Sequence, residues 1–215
     1  MNWLTKMFSG DHPAADLPED LRERLERWQT LAPPSLDATH DEIRYVVVNT
    51  EATGMDLSRD RLLAVAAIAI DDASLALRDA IELPLDKPAE PLVELLEFIG
   101  KSPVVVFNAD FNRQALMGAF ETHLGFEPEL EWLDAYWLLP CVFNDQHDRP
   151  VRLADWMKSM GIETFQRHRA LGDAFALAKL LLAALSRASV RGHRSARSII
   201  DLASTRKRLQ RAISS

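Results

Sequence analysis

Two short, β-branched apolar runs that stop abruptly at asparagine constrain this chain more than any other feature. Residues 45–48 read Tyr-Val-Val-Val and are followed by Asn49; residues 104–107 read Val-Val-Val-Phe and are followed by Asn108. Apolar runs this short, with polar residues on both sides, suit strands buried on both faces. A second kind of strand lies between them. Residues 62–70 form a longer apolar run, residues 75–85 alternate, and Asp71-Asp72 marks the turn between the two. Helical spacing takes over in residues 90–100, which end in Gly100, and again in residues 111–124. Residues 153–160 predict a short helix stopped by Gly161, and residues 170–188 a long one rich in alanine and leucine. An antiparallel β run followed by alternating helices and strands predicts an α/β fold, a mixed sheet flanked by helices.

The flanks divide the chain into residues 1–40, 41–188 and 189–215. In the first, Leu17, Leu21, Leu25, Trp28 and Leu31 recur at steps of four and three, which places them on one helix face between Pro18 and Pro33-Pro34. In the last, Ile199, Leu202, Leu209 and Ile213 share a face of a helix whose other side is basic. Eight basic residues between Arg187 and Arg211 face Asp201 alone, so that segment carries +7. The formal net charge is −7, which leaves −14 on the remainder. An acidic body binds nucleic acid poorly because phosphate contacts need cations. The basic segment either supplies those cations or docks on the acidic body itself.

Other classes are set aside quickly. The only cysteine, Cys141, forms no internal disulfide and no CxxC zinc site. The longest apolar run, around residues 177–185, is interrupted by Lys179 and too short for a bilayer. Residues 1–8 lack the apolar stretch of a signal peptide. The expectation is a cytoplasmic protein with no membrane partner.

Three short segments carry the chemistry. Asn49-Thr50-Glu51-Ala52-Thr53-Gly54 follows the first strand, and residues two apart on a strand point to the same side. Asn108-Ala109-Asp110-Phe111-Asn112 follows a later strand and opens a helix, where Asn and Asp are ordinary N-caps. His168-Arg169-Ala170-Leu171-Gly172-Asp173-Ala174 opens the long helix, where an acidic residue suits the dipole. Each is weak alone. Together, in order and context, they resemble the three motifs of the DnaQ-like (DEDDh) 3′–5′ exonucleases of the RNase H-like superfamily: D-x-E-x-T/S-G, roughly H-N-x-x-F-D, and H-x-A-x-x-D-A. Asp60-Arg61-Leu62-Leu63 and Trp132-Leu133-Asp134 resemble two lesser segments of that family.

The resemblance implies an RNase H-like fold and two-metal phosphodiester hydrolysis. Four carboxylates hold Mg²⁺ or Mn²⁺, and a histidine acts as general base on the attacking water. Carried onto this chain, it implies His168 as the base and Glu51 and Asp173 as metal ligands. Asn49 and Asn112 stand where the family has aspartate. Thr53, Asn108 and Phe111 match positions that contact the nucleic-acid 3′ end. Phe107 and Ala64 also depart, from His and Glu respectively. The site's formal charge falls from −4 to −2. Each lost charge weakens divalent-ion binding by on the order of a few kcal/mol at an effective dielectric of about 20. One ion, or none, is then expected. Three readings stay open: a degenerate, pseudoenzyme-like domain that binds DNA or RNA 3′ ends; an active metal-dependent exonuclease; and a protein-interaction or regulatory subunit.

Overall fold

A computed structural model describes residues 17–56, 59–163 and 169–214. Five strands form one sheet: β1 (Tyr45–Ala52), β2 (Leu62–Asp71), β3 (Ser74–Pro84), β4 (Val104–Val106) and β5 (Trp132–Asp134), in the order β3-β2-β1-β4-β5. The first three pair antiparallel, whereas β4 joins β1 and β5 joins β4 in parallel. The mixed sheet expected from the sequence is therefore present. The β2–β3 turn lies one residue later than Asp71-Asp72. Asp71 pairs with Ser74, and Asp72 and Ala73 both take positive φ, 52° and 49°. Two positive φ values in a two-residue loop match the right-handed twist of the flanking strands.

Seven helices cover the sheet among the described residues. They are α1 (Glu19–Gln29), α2 (Ala89–Ile99), α3 (Ala109–Leu124), α4 (Ala135–Val142), α5 (Leu153–Ser159), α6 (Ala170–Val190) and α7 (Ala196–Ser214). One core layer joins Tyr45, Val47, Ile68 and Ile70 to Leu138, Trp156, Leu177 and Leu181 of the helices. The other joins Val46, Val48, Val65 and Ala67 to Leu92, Leu96, Leu116 and Phe120. Alternation along β1 and β2 produces both layers, since neighbouring residues face opposite sides. Small residues let the first layer close up: Ala66 of β2 sits in the same cluster as Ala170, Ala174 and Ala178 of α6.

The described parts of both flanks, helices α1 and α7, pack onto the core. Leu21, Leu25 and Trp28 of α1 are buried in the second layer, and the Trp28 indole donates to the Gly100 carbonyl at 2.7 Å. Leu31, expected on the same face, is 46% exposed because the helix ends at Gln29. Ala196, Ile199 and Ala203 of α7 join the first layer. The basic segment docks on acidic groups of the same chain: Arg187 on Asp145 at 2.7 Å, Arg197 on Asp37 at 3.0 Å, and Lys207 and Arg211 on Asp110. The far end of α7 leaves Leu209 and Ile213 exposed, so only the first half of its apolar face is covered. Among the described residues, no helix is long and apolar enough to cross a membrane.

Candidate active site

The three motifs meet at the carboxyl ends of β1 and β4. Asn49 and Glu51 continue the face of β1 that carries Tyr45 and Val47 and is covered by α6; Thr50 faces the layer covered by α3. Asn49 Nδ2 donates to the carbonyl of Ala170, the first residue of α6, at 3.3 Å. Asp173 lies in the first turn of that helix, half-buried, with its backbone N–H on the Arg169 carbonyl at 3.1 Å. Ala64 is the direct cross-strand partner of Glu51, so no carboxylate faces it from β2 at that position. His168 lies outside the described residues.

Helix α3 opens where β4 stops. Asn108 turns the chain in the left-handed region (φ 64°, ψ 72°), which Asn tolerates better than most residues. The sequence offers Asn108 and Asp110 as N-caps, but the Asn108 side chain makes no capping bond. Asp134 supplies that function from the next strand, because the β4–β5 register sets it beside Val106. Its Oδ1 accepts from the Asn108 N–H and its Oδ2 from the Ala109 N–H, both at 3.0 Å. Oδ1 also accepts the Tyr136 N–H at 3.0 Å, capping α4. Burial pushes the Asp134 carboxyl above the ordinary range, and the N–H groups and the Lys207 charge pull it back.

Asn112 is 8% exposed, and both ends of its amide are engaged. Oδ1 accepts the Thr50 hydroxyl at 2.6 Å. Nδ2 donates to the Phe107 carbonyl at 2.8 Å and to the Asn108 carbonyl at 3.4 Å. Two carbonyl acceptors at one end fix that end as the NH₂. Asp110 points away, exposed and paired with Lys207 and Arg211. That opposition follows from the helical step of about 100° per residue.

The remaining sequence candidates surround this cluster. Thr53 Oγ1 donates to Asp60 Oδ1 at 2.8 Å, and the Thr53 N–H reaches the Arg61 carbonyl at 3.0 Å. The φ of Gly54 is not positive, so no left-handed turn requires the glycine. A Cβ there would overlap the Asp60 carboxylate, so close approach is the reason for glycine. Phe111 lines an open cleft of about 550 Å³ together with Ala52, Arg61, Leu85, Gln114 and His123. Phe107 makes an edge contact with Tyr136 at 5.6 Å, and Tyr136 another with Trp137 at 5.2 Å.

Sequence reasoning missed three residues. Thr50 hid in the variable position of the first motif, although strand alternation already sends it away from Asn49 and Glu51. Asp134 was noted only as a family echo, and Tyr136 carried no motif signal at all.

The donor set does not fit a two-ion site. The cluster offers the carboxylates of Glu51 and Asp173, while the Asn112 amide is committed to Thr50 and two carbonyls. Among the described residues, no three His, Cys, Asp or Glu side chains converge as metal ligands.

The comparisons with known proteins agree with this layout. E. coli Exonuclease I in complex with a dT13 oligonucleotide superposes with a TM-score of 0.54 at 15% identity, over 68% of this chain and 42% of that one. The zinc-bound form of the E. coli Exonuclease I–ssDNA complex gives 0.53 at 16% identity, over 67% and 40%. This is the DnaQ-like, RNase H-like fold. In sequence, this chain is 24% identical over 170 residues to a DNA polymerase III of PolC type from Thermotoga petrophila. A PolC-type polymerase from Thermotoga maritima is likewise 24% identical, over 168 residues. The alignment covers 69% of this chain, which spans 12% of the Thermotoga petrophila polymerase. No protein-family model matches the chain.

Proposed function

We propose that this chain is an exonuclease-family domain that holds the 3′ end of a nucleic-acid strand and cleaves it slowly or not at all. The observation that carries the reading is the Asn112 amide, hydrogen-bonded at both ends where the family's motif has a metal-binding carboxylate. The Exonuclease I structures bound to single-stranded DNA support the nucleic-acid part, and the PolC-type relatives point to a setting near DNA synthesis. In this reading Glu51 and Asp173 keep enough negative charge for one Mg²⁺ or Mn²⁺ ion. Such an ion would supply Lewis-acid stabilisation at the scissile phosphate. Thr53, Asn108 and Phe111 orient the terminal nucleotide, with the cleft beside Phe111 receiving its base, and His168 remains the candidate base.

The test is binding and cleavage of a short single-stranded oligonucleotide, with its 3′ end free or blocked. The expected result is a preference for the free end, with turnover in Mn²⁺ orders of magnitude below an ordinary exonuclease. Any residual cleavage disappears in Glu51→Ala and in Asp173→Ala. Rapid turnover in the unmodified protein would replace this reading with that of an active exonuclease. Cleavage that survives both substitutions would have another source.

A further inference from the structure

We infer that Asn49 and Asn112 brace the three motifs without a metal ion: the Asn49 N–H joins the first motif to the third, the Asn112 oxygen joins the second to the first, and the Asn112 N–H groups, which aspartate lacks, brace the second motif internally. The inference rests on the reading of this site as an exonuclease-type cluster. A divalent ion shared by carboxylates from several elements cross-links those elements, which is why metal binding and folding are coupled in such sites. Here the same elements are joined by side-chain amides. Asn49 Nδ2 connects β1 to the first carbonyl of α6 at 3.3 Å. Asn112 connects three segments at once. Its oxygen takes the Thr50 hydroxyl of β1 at 2.6 Å, and its nitrogen reaches the Phe107 and Asn108 carbonyls at the β4–α3 junction at 2.8 and 3.4 Å.

The direction of these bonds decides the matter. Three of the four run from an asparagine N–H to a backbone carbonyl. A carboxylate has the same shape but offers only acceptors, so aspartate at either position would set oxygen against oxygen. At position 112 the clash would be largely shielded from water, since Asn112 is 8% exposed. The Phe107 carbonyl would face a charge in place of its donor, which is costly, whereas the Asn108 carbonyl keeps the backbone N–H groups of Phe111 and Asn112. The near-isosteric exchange of Asp for Asn thus did more than delete a charge. It replaced a site organised by cations with one organised by its own hydrogen bonds. Restoring the family's carboxylates would then disrupt the cradle in metal-free solution. In the unmodified protein the cradle for a 3′ end would persist in metal-free solution.

The test is thermal unfolding of the full chain and its variants in EDTA and in millimolar Mn²⁺, with oligonucleotide binding measured on the same samples. The unmodified protein should melt at the same temperature in both, within about 1 °C, a shift worth well under 1 kcal/mol for a chain of this size. Asn112→Asp in EDTA should melt lower by about 4–8 °C. Asn49→Asp, which loses one longer bond, should fall by about 2 °C and serves if the first variant does not fold. A melting temperature for Asn112→Asp equal to that of the unmodified protein in EDTA would overturn the inference. So would a rise of more than about 3 °C when Mn²⁺ is added to the unmodified protein. Failure of the underlying reading looks different: the melting shifts appear as expected, but no oligonucleotide binds in either solution.

Discussion

Two side chains clasp the same three-residue junction between β4 and α3, and they do so with opposite chemistry. Asp134 approaches from β5 and accepts the N–H groups of Asn108 and Ala109. Asn112 approaches from within α3 and donates to the carbonyls of Phe107 and Asn108. The left-handed turn at Asn108 makes both possible, because it splays the junction's donors and acceptors toward different partners. One clasp must be an acceptor and the other a donor. Shape does not separate aspartate from asparagine, so hydrogen-bond polarity alone assigns the residue type at each position.

Removing the acceptor clasp should have the largest effect. Asp134→Ala strands three backbone N–H groups at the starts of α3 and α4, and should lower unfolding stability by about 3 kcal/mol in urea titrations. Asp134→Asn should fall between this variant and the unmodified protein, since an amide oxygen serves one side but its NH₂ opposes the other. If Asp134→Asn is as stable as the unmodified protein, polarity does not govern the junction, and the contrast with Asn112 collapses.

A smaller effect sharpens the donor clasp. Thr50→Val keeps the shape of the side chain and removes the hydroxyl that the Asn112 oxygen accepts, for an expected loss of about 1 kcal/mol. In a double-mutant cycle with Asn112→Ala the two losses should be clearly non-additive. Strict additivity would show that the 2.6 Å contact contributes nothing on its own.

The smallest effect comes from a third buried node, where a proton decides what residue type decides at the other two. His40 Nε2 faces the His193 carbonyl at 3.0 Å, so that nitrogen carries the hydrogen, and Nδ1 accepts from the Tyr45 hydroxyl at 2.6 Å. In the neutral ring both contacts are hydrogen bonds, with the Tyr45 hydroxyl as donor to Nδ1. Burial holds the His40 pKa below its ordinary 6.5, against the opposing pull of the His193 carbonyl and Asp41. The folded state therefore binds fewer protons than the unfolded chain near this pH. The contribution of His40 is complete above pH 6.5 and is lost as the pH falls below it toward the depressed folded value. Denaturation midpoints followed from neutral to mildly acidic pH should show this decline, and His40→Gln should flatten it. An unchanged slope in His40→Gln would assign the decline to other groups.

Much of the molecule was legible in its sequence because the signals are local. β-Branched runs, helical spacing and the glycine stops locate most strands and helices through their periods, which each segment carries by itself. The three motifs converge as their order implies, bringing Asn49 and Glu51 beside the helix that bears Asp173. Strand β5 escaped because Trp132-Leu133-Asp134 lacks the β-branched run that marks the equally short β4, and helix α4 because a proline-containing octapeptide is too short for a period to emerge.

What only the tertiary structure decided is which partners meet the polar groups. The sequence left open whether the basic C-terminal segment reaches outward or folds back; α7 packs its first half on the core and sets Lys207 and Arg211 against Asp110, about 100 residues away along the chain. It offered Asn108 and Asp110 as caps, and the sheet register chose Asp134 instead. It counted Asn49 and Asn112 as missing charges, and the fold gave their amides carbonyls to bind. Periodicity is written along the chain, but a hydrogen bond's direction depends on which distant backbone group arrives opposite. The sequence therefore determined the family resemblance and the convergence of its motifs, and the three-dimensional register determined what the altered residues do there.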